Sequence, residues 1–176
     1  MKKVVLAYSG GLDTTYCVKY LGDKGYEVHA VLIDTGGFSQ EELDFVEQRA
    51  NTIGLASYKA ITVTQDFYDR CIKYLIFGNI LKNNTYPLSV SAERIFQAVA
   101  IAQYAKELGA DAIAHGSTGA GNDQVRFDMA FHIVYPEAEI ITPIRDNKLS
   151  RDEEIEVVTK HGVEVYWVKA DDSIYK

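Results

Sequence analysis

The stretch that decides the fold is Ala7-Tyr8-Ser9-Gly10-Gly11-Leu12-Asp13-Thr14, which follows the apolar run Lys3-Val4-Val5-Leu6 and opens a helical pattern. The two glycines let the backbone approach an anion with no Cβ in the way, and Ser9 and Thr14 offer hydroxyl groups. The N–H groups at the start of the next helix face such an anion at the positive end of the helix dipole. A strand, a glycine-containing loop and a helix in this order therefore predict a phosphate-binding site.

The loop differs from two common nucleotide-binding motifs. A P-loop requires G-x-x-x-x-G-K-[ST], and the lysine is absent here. A dinucleotide fingerprint requires G-x-G-x-x-G, which is also absent. The stretch resembles instead the pyrophosphate loop of ATP pyrophosphatases, enzymes that split ATP into AMP and pyrophosphate. The alternative is an ordinary glycine turn after a strand.

Composition and charge narrow the class of protein. The chain has 176 residues, 47% hydrophobic and 24% charged, which is typical of one globular domain. Its net charge of −7 argues against a nucleic-acid partner. Cys17 and Cys71 are too few for a disulfide framework and lack metal-site spacing; Cys17 is expected to be a small buried hydrophobe. With neither a signal peptide nor an apolar run of about 20 residues, a cytoplasmic protein without membrane contact is expected.

Strand-like and helix-like segments alternate along the chain. The predicted strands are 4–7, 28–33, 60–63, 112–114, 140–142 and 163–168. The predicted helices are 13–24, 39–53, 64–81, 91–108, a segment from about Asp123, and 150–161, with 82–89 as a polar loop. Capping boxes are expected at Ser39 and Ser150. Continuous apolar strands between helices indicate an α/β fold, a doubly wound parallel sheet with helices on both faces.

A second group of polar residues follows the predicted strand 112–114, in the segment 115–127. Arg126 carries a planar fork suited to a carboxylate, Asn122 can donate and accept, and Asp123 can hold an amine. This set fits an amino-acid ligand, although an Asn-capped surface loop is the alternative. Upstream, Ser91 is predicted to be the N-cap of its helix, and such an N-terminus also suits a carboxylate.

Taken together, the segments 7–14, 86–88 with Ser91, and 116–127 resemble the argininosuccinate synthase family, in residue order and spacing up to about residue 165. The resemblance implies an adenine nucleotide alpha hydrolase-like fold, with residues 1–170 as the nucleotide-binding domain and 171–176 beginning the connection to a missing synthetase domain. Family members join citrulline to aspartate in arginine biosynthesis and the urea cycle. They use ATP with Mg²⁺ and release AMP and pyrophosphate. The resemblance also implies that the full-length enzyme is a homotetramer.

The resemblance also implies roles for individual residues. Asp13 and Ser9 would be catalytic. The ATP contacts would be Ala7, Tyr8, Ser9, Gly10, Gly11, Leu12, Asp13, Thr14, Thr15, Ile33 and Gly116. The citrulline contacts would be Tyr86, Ser91, Asn122 and Arg126, and the aspartate contacts would be Thr118, Asn122 and Asp123. Two departures from the family pattern are Glu93 near the start of the helix and Ala120 in place of a common lysine.

Other functions remain open at this point. One is a different synthetase of the pyrophosphate-loop group, such as an amidotransferase or a tRNA-modifying enzyme. Another is a non-catalytic nucleotide-binding module of the universal-stress-protein type, which would not need the Asn122-Asp123 loop. His115 and His132 are predicted to be polar loop or helix residues and not catalytic bases. Tyr68, Tyr74 and Tyr104 are expected in the core or half-buried.

Overall fold

A computed structural model describes residues 1–164 of the chain. The strands are β1 Lys2–Ala7, β2 Tyr26–Asp34, β3 Ser57–Thr62, β4 Leu81–Lys82, β5 Tyr86–Pro87, β6 Ala112–Ala114 and β7 Glu139–Ile141. The helices are α1 Leu12–Asp23, α2 Gln40–Thr52, α3 Thr64–Phe67, α4 Lys73–Phe77, α5 Ser89–Leu108, α6 Asp123–Val134, α7 Pro143–Asn147 and α8 Arg151–Lys160, with a π-helical turn Tyr68–Ile72 between α3 and α4.

Five of the strands form one parallel sheet in the order β3-β2-β1-β6-β7. The chain moves outward on one side of β1 through β2 and β3, and on the other side through β6 and β7. The space between β1 and β6 is therefore the switch point of the sheet, where α/β proteins bind ligands beyond the carboxyl ends of the strands. In the β1–β6 register Leu6 pairs with Ala114, so the loops after these two strands leave side by side.

Side chains of the strands alternate between two buried layers, which confirms the predicted doubly covered sheet. Val4 and Leu6 pack on the face covered by α1, α2, α7 and α8. Val5 points to the other face, where α5 and α6 pack. Both layers are apolar because parallel strands are buried on both sides.

The predicted helix ends are confirmed where the signal is local. Ser39 and Ser150 each accept a hydrogen bond from the backbone N–H three residues on, and Glu42 and Glu153 reach back to complete both capping boxes. Gly109 ends α5 in the left-handed conformation, at φ +64°. Cys17 is fully buried, as expected.

The prediction of one long helix over 64–81 and a loop over 82–89 was wrong. The helix is interrupted by the π-helical turn and ends before Gly78. A short antiparallel hairpin of β4 and β5 follows, turning at Asn83 and Asn84, which have φ values of +54° and +57°. Asparagine tolerates these angles, so the hairpin turn has a local cause that the polar composition alone did not reveal.

Three further predictions need correction or fall outside the structure. The helix expected to begin at Ser91 begins at Ser89, so Ser91 is not its N-cap. Tyr68 and Tyr74 are exposed, at 45% and 59%, because they lie on the outer side of the interrupted helix. Of the strand expected over 163–168 only its first two residues are described, and they are not in a strand. Within residues 1–164, none of the helices combines the length and hydrophobicity of a membrane-spanning segment.

Candidate functional site

The pyrophosphate loop is shaped by hydrogen bonds among its own residues. Gly11 N–H donates to Ser9 Oγ at 3.4 Å, and the Ser9 and Thr14 hydroxyl oxygens lie 3.4 Å apart. The Thr14 and Thr15 hydroxyls donate to the Gly11 carbonyl at 3.2 and 2.8 Å. The loop therefore turns its threonine hydroxyls onto its own backbone and leaves Ser9 exposed at the surface.

Glycine is required at position 10 of this loop. Gly10 has a φ of +77°, and a Cβ placed there would lie 3.0 Å from Val46 Cγ2. Gly11 is the N-cap of α1, and its lack of a side chain leaves the helix without a side-chain cap. The N–H groups in the first turn of α1 thus follow a glycine and have no side-chain cap. This is the arrangement that binds phosphate at helix N-termini.

The glycine-rich loop after β6 meets the pyrophosphate loop at Gly116. A Cβ at Gly116 would lie 3.4 Å from Asp13 Cβ and 3.5 Å from Thr14 Cγ2, so its backbone packs directly on the start of α1. The structure therefore brings together Gly116, Asp13 and Thr14, three of the residues expected to contact ATP, and that role stays a prediction. Ile33 lies near the carboxyl end of β2, and its side chain is 5% exposed and packs in the core.

Most residues predicted to hold an amino acid line a single cavity of about 550 Å³. Its walls are Lys82, Asn83, Thr85, Tyr86, Val90, Ser91, Asn122, Asp123 and Arg126. Thr118 is exposed in the preceding loop and is not among these lining residues. The hairpin β4–β5 and the start of α5 form one wall, and the start of α6 forms the other.

Arg126 is the centre of the polar contacts in this cavity. Its Nη1 donates to Asp123 Oδ1 at 2.7 Å and its Nη2 donates to Ser91 Oγ at 3.1 Å. Arg94 approaches the other oxygen of Asp123, at 3.4 Å. Ser91 was expected to cap a helix, and its hydroxyl instead helps to orient the guanidinium. Such a held guanidinium suits a carboxylate ligand.

Two residues of this region were missed by the sequence reasoning. Glu154 of α8 is 4% exposed and lies beside Asp13. Burial, together with the negative charge of Asp13 and a hydrogen bond to it, raises the pKa of Glu154 from 4.5 to about 7. In the sequence Glu154 belongs to an acidic helical turn, Asp152-Glu153-Glu154, and nothing there separates it from its solvated neighbours. The second residue, His115, is 1% exposed, although it was expected to be a polar loop residue.

The donor set at the pyrophosphate loop fits Mg²⁺ held partly by nucleotide phosphates. Among residues 1–164 there is no cluster of three or more His, Cys, Asp or Glu side chains that could hold a metal ion alone. Mg²⁺ usually binds through one or two carboxylates together with substrate phosphates and water. Asp13 is the partly exposed carboxylate beside the loop, so it is the residue that fits this mode.

The sheet and the pyrophosphate loop define an α/β domain of the adenine nucleotide alpha hydrolase-like type. A 4-thiouridine synthetase–RNA complex with bound ATP has the same fold, with a TM-score of 0.67 at 17% identity over 92% of this chain and 41% of that chain. A predicted subunit of tRNA methyltransferase from Methanocaldococcus jannaschii matches with a TM-score of 0.60 at 16% identity, over 90% of this chain and 75% of that chain.

The chain belongs to the family described as arginosuccinate synthase N-terminal HUP domain, whose model matches residues 3–164. Argininosuccinate synthases of Lactococcus lactis subsp. cremoris (strain SK11) and Staphylococcus haemolyticus (strain JCSC1435) are each 42% identical over 164 residues, or 93% of this chain. The chain spans 41% and 40% of the length of these two relatives.

Glu154 makes the stability of the metal-free chain depend on pH. Its pKa is higher in the folded chain than the ordinary 4.5 of the unfolded one, so the folded state holds the proton more tightly and loses stability as pH rises from about 4.5 to 7. Glu154→Gln stays uncharged throughout. From pH 4.5 to 8 we expect the variant to gain up to about 3 kcal/mol relative to wild type, since one pKa unit is about 1.4 kcal/mol.

Urea unfolding at several pH values, with a chelator present, measures this difference. Glu156→Gln is the matched control, because Glu156 lies on the same helix with its side chain 64% exposed. Parallel pH profiles for wild type and Glu154→Gln would contradict the assignment of Glu154 as a buried carboxyl of raised pKa.

Proposed function

We propose that this domain binds ATP with Mg²⁺ at the pyrophosphate loop and presents it to citrulline and aspartate held in the adjoining cavity. In a complete synthase the reaction would form argininosuccinate, AMP and pyrophosphate. The observation that carries the proposal is the packing of Gly116 on Asp13. This contact joins the phosphate-binding loop to the loop that leads into the Arg126 cavity, so two substrates would meet at one edge of the sheet.

Different residues of the chain would contact different parts of the nucleotide, according to their chemistry. The amide groups of Ser9–Thr15 would cradle the phosphates, since a glycine-rich helix start favours negative charge. Backbone near Ile33 would face adenine, and Gly116 would let the nucleotide lie close to the second loop. Asp13 would hold Mg²⁺, which when bound offsets the charge of the leaving pyrophosphate. No general base is required for this, because fixed charges that stabilise the transition state contribute more.

The amino-acid cavity would recognise both ends of its ligands. Arg126, oriented by Ser91, would bind the citrulline carboxylate together with Tyr86 and Asn122. Asp123 would attract the amine of aspartate, with Thr118 and Asn122 beside it. In this scheme the citrulline ureido oxygen attacks the α-phosphorus and pyrophosphate leaves; the aspartate amine then displaces AMP. Holding the reactants side by side lowers the entropic part of the barrier.

Other parts of the expected biology belong to the same proposal. From family membership alone we also propose that the complete protein is a cytoplasmic enzyme of arginine biosynthesis and a homotetramer. A tRNA-acting enzyme is less consistent with the chain, since its net charge is −7 and RNA-binding surfaces are basic. The two solved structures of related fold are under 20% identical and support the fold only.

The proposal predicts different behaviour for the isolated chain and for a completed one. The 176-residue chain is expected to fold and to form no argininosuccinate. A chimaera with residues 1–164 in front of the remaining part of the Lactococcus lactis relative is expected to consume ATP only when citrulline is present. Assays of AMP, pyrophosphate and argininosuccinate measure both. Robust turnover by the isolated chain, or a folded chimaera without turnover, would contradict the proposal.

Asp13→Ala in the chimaera is expected to lower kcat much more than it weakens binding of ATP. Asp13 would act on the charge of the leaving pyrophosphate, whereas adenine would contact the backbone near Ile33. Loss of one preorganised charge costs roughly 3 kcal/mol or more in the transition state. Steady-state kinetics at varied Mg²⁺ measure the effect, with Asp23→Ala at the exposed end of α1 as control. An unchanged kcat with only a raised KM for ATP would remove this role.

Arg126→Lys in the chimaera is expected to raise the KM for citrulline at least about tenfold, near 1.4 kcal/mol. Lysine keeps the charge but loses the fork that reaches Asp123 and Ser91 together. The KM for ATP should change little. Arg70→Lys is the control, because Arg70 forms an exposed ion pair with Asp66 and such pairs contribute less than about 1 kcal/mol. An unaltered citrulline KM would place Arg126 outside the site.

A further inference from the structure

A chain of side-chain contacts, buried at one end and partly exposed at the other, lies behind the glycine-rich loop 116–121. It begins at His115, the residue after β6, which is 1% exposed. His115 bonds to Asp128 of α6, and Asp128 bonds to Arg145 of α7. These three side chains come from three separate elements, and they meet beneath the loop that packs on Asp13.

We propose that His115 is a positioning residue that holds the loop 116–121 against the start of α1, and so sets the shape of the nucleotide site. The inference rests on the proposed function for its consequence, ATP binding. Its structural part, the fixing of the loop by the imidazole, stands without that function.

The hydrogen bonds assign the state of the imidazole. The Ser117 N–H donates to Nδ1 of His115 at 3.2 Å, so Nδ1 carries no proton. The proton therefore lies on Nε2, which donates to Asp128 Oδ1 at 2.9 Å. Each ring nitrogen thus has one hydrogen-bond partner. Nδ1 accepts from the backbone of the loop, and Nε2 donates to Asp128 of α6.

The other end of this chain of contacts, at Arg145, also reaches the loop through Gln124. Arg145 Nη1 donates to Asp128 Oδ2 at 2.7 Å and to Gln124 Oε1 at 3.2 Å. The amide of Gln124 donates to the carbonyls of Gly119 and Gly121, at 2.8 and 3.3 Å. The loop is therefore held at its beginning through Ser117 and at its end through Gln124.

A loop of this composition needs such anchors. Gly116, Gly119 and Gly121 give it great backbone freedom, and fixing such a flexible backbone costs conformational entropy. The ring of His115 is itself fixed by stacking on Phe127, with centroids 5.5 Å apart. Burial lowers the pKa of His115, so the neutral ring that accepts from Ser117 persists at neutral pH.

Two substitutions separate the two ring contacts. His115→Asn places an oxygen near the position of Nδ1, so it retains an acceptor for Ser117 N–H but does not reach Asp128. His115→Gln places its amide near Nε2 and loses the acceptor. His132→Asn is the control, because His132 is exposed on α6. The variants are made in the 176-residue chain and tested for hydrogen exchange at the Ser117 amide and for binding of ATP with Mg²⁺ by calorimetry.

We expect His115→Gln to speed exchange at Ser117 at least tenfold and to raise the Kd for ATP at least tenfold. His115→Asn and the control should stay within about threefold of wild type on both measures. In wild type, NMR of the imidazole nitrogens should show the proton on Nε2. Equal ATP affinity in His115→Gln and wild type would overturn the positioning role, as would equal loss in His115→Asn and His115→Gln, which indicates a packing role only.

The experiment also distinguishes failure of the proposed function from failure of the positioning role of His115. If wild type binds no ATP, the proposed function fails, and unchanged Ser117 exchange in His115→Gln would separately overturn the fixing of the loop. If His115→Gln does not fold, the NMR spectrum of the wild-type imidazole decides. A proton on Nε2 supports the inference, and a proton on Nδ1 overturns it, because Nδ1 could then not accept from the Ser117 N–H.

Discussion

The parallel pairing of β1 with β6 is the constraint on which the rest of the site depends. It places the two loops side by side at the switch point of the sheet, with Leu6 opposite Ala114. From there Gly116 packs on Asp13, at a distance where an added Cβ would be in van der Waals contact with Asp13 Cβ. The pyrophosphate loop and the Arg126 cavity lie far apart in sequence, and this one strand pairing makes them parts of a single surface.

The two loops are stabilised in different ways because their backbones differ. The pyrophosphate loop is short and is closed by its own hydroxyls, with Thr15 donating to Gly11. The loop 116–121 has no regular secondary structure, so its shape depends on side chains from α6 and α7. Glu154 adds an opposing effect, since a buried carboxyl near Asp13 destabilises the fold as pH rises. Strained electrostatics of this kind are concentrated where proteins bind charged ligands.

The parts predicted correctly from the sequence are those with a local cause. Apolar runs identified the five strands of the sheet, and Ser39 and Ser150 marked helix starts through bonds to residues three positions away. The family resemblance placed Arg126, Asp123 and Ser91 in one site; the structure brings these three side chains into contact, and their ligands stay a prediction. Only tertiary packing could reveal the buried Glu154 and His115, because each looks like a surface residue in the sequence. The π-helical turn after α3 and the helix α7 were missed for a related reason, since short elements carry little periodicity.

The cavity around Arg126 illustrates why the position of a residue matters more than its type. Asp123 lies between Arg126 and Arg94, at 2.7 and 3.4 Å, so its carboxylate is already compensated before a ligand arrives. A bound carboxylate would share the guanidinium of Arg126, and a bound amine would share Asp123. A zwitterion can contact both groups at once and leaves the net charge of the cavity unchanged, whereas a ligand with only one of these groups changes that net charge. In the proposed function, such preorganised charges of opposite sign would favour an amino acid over a simple anion, at a wall that is partly open to solvent.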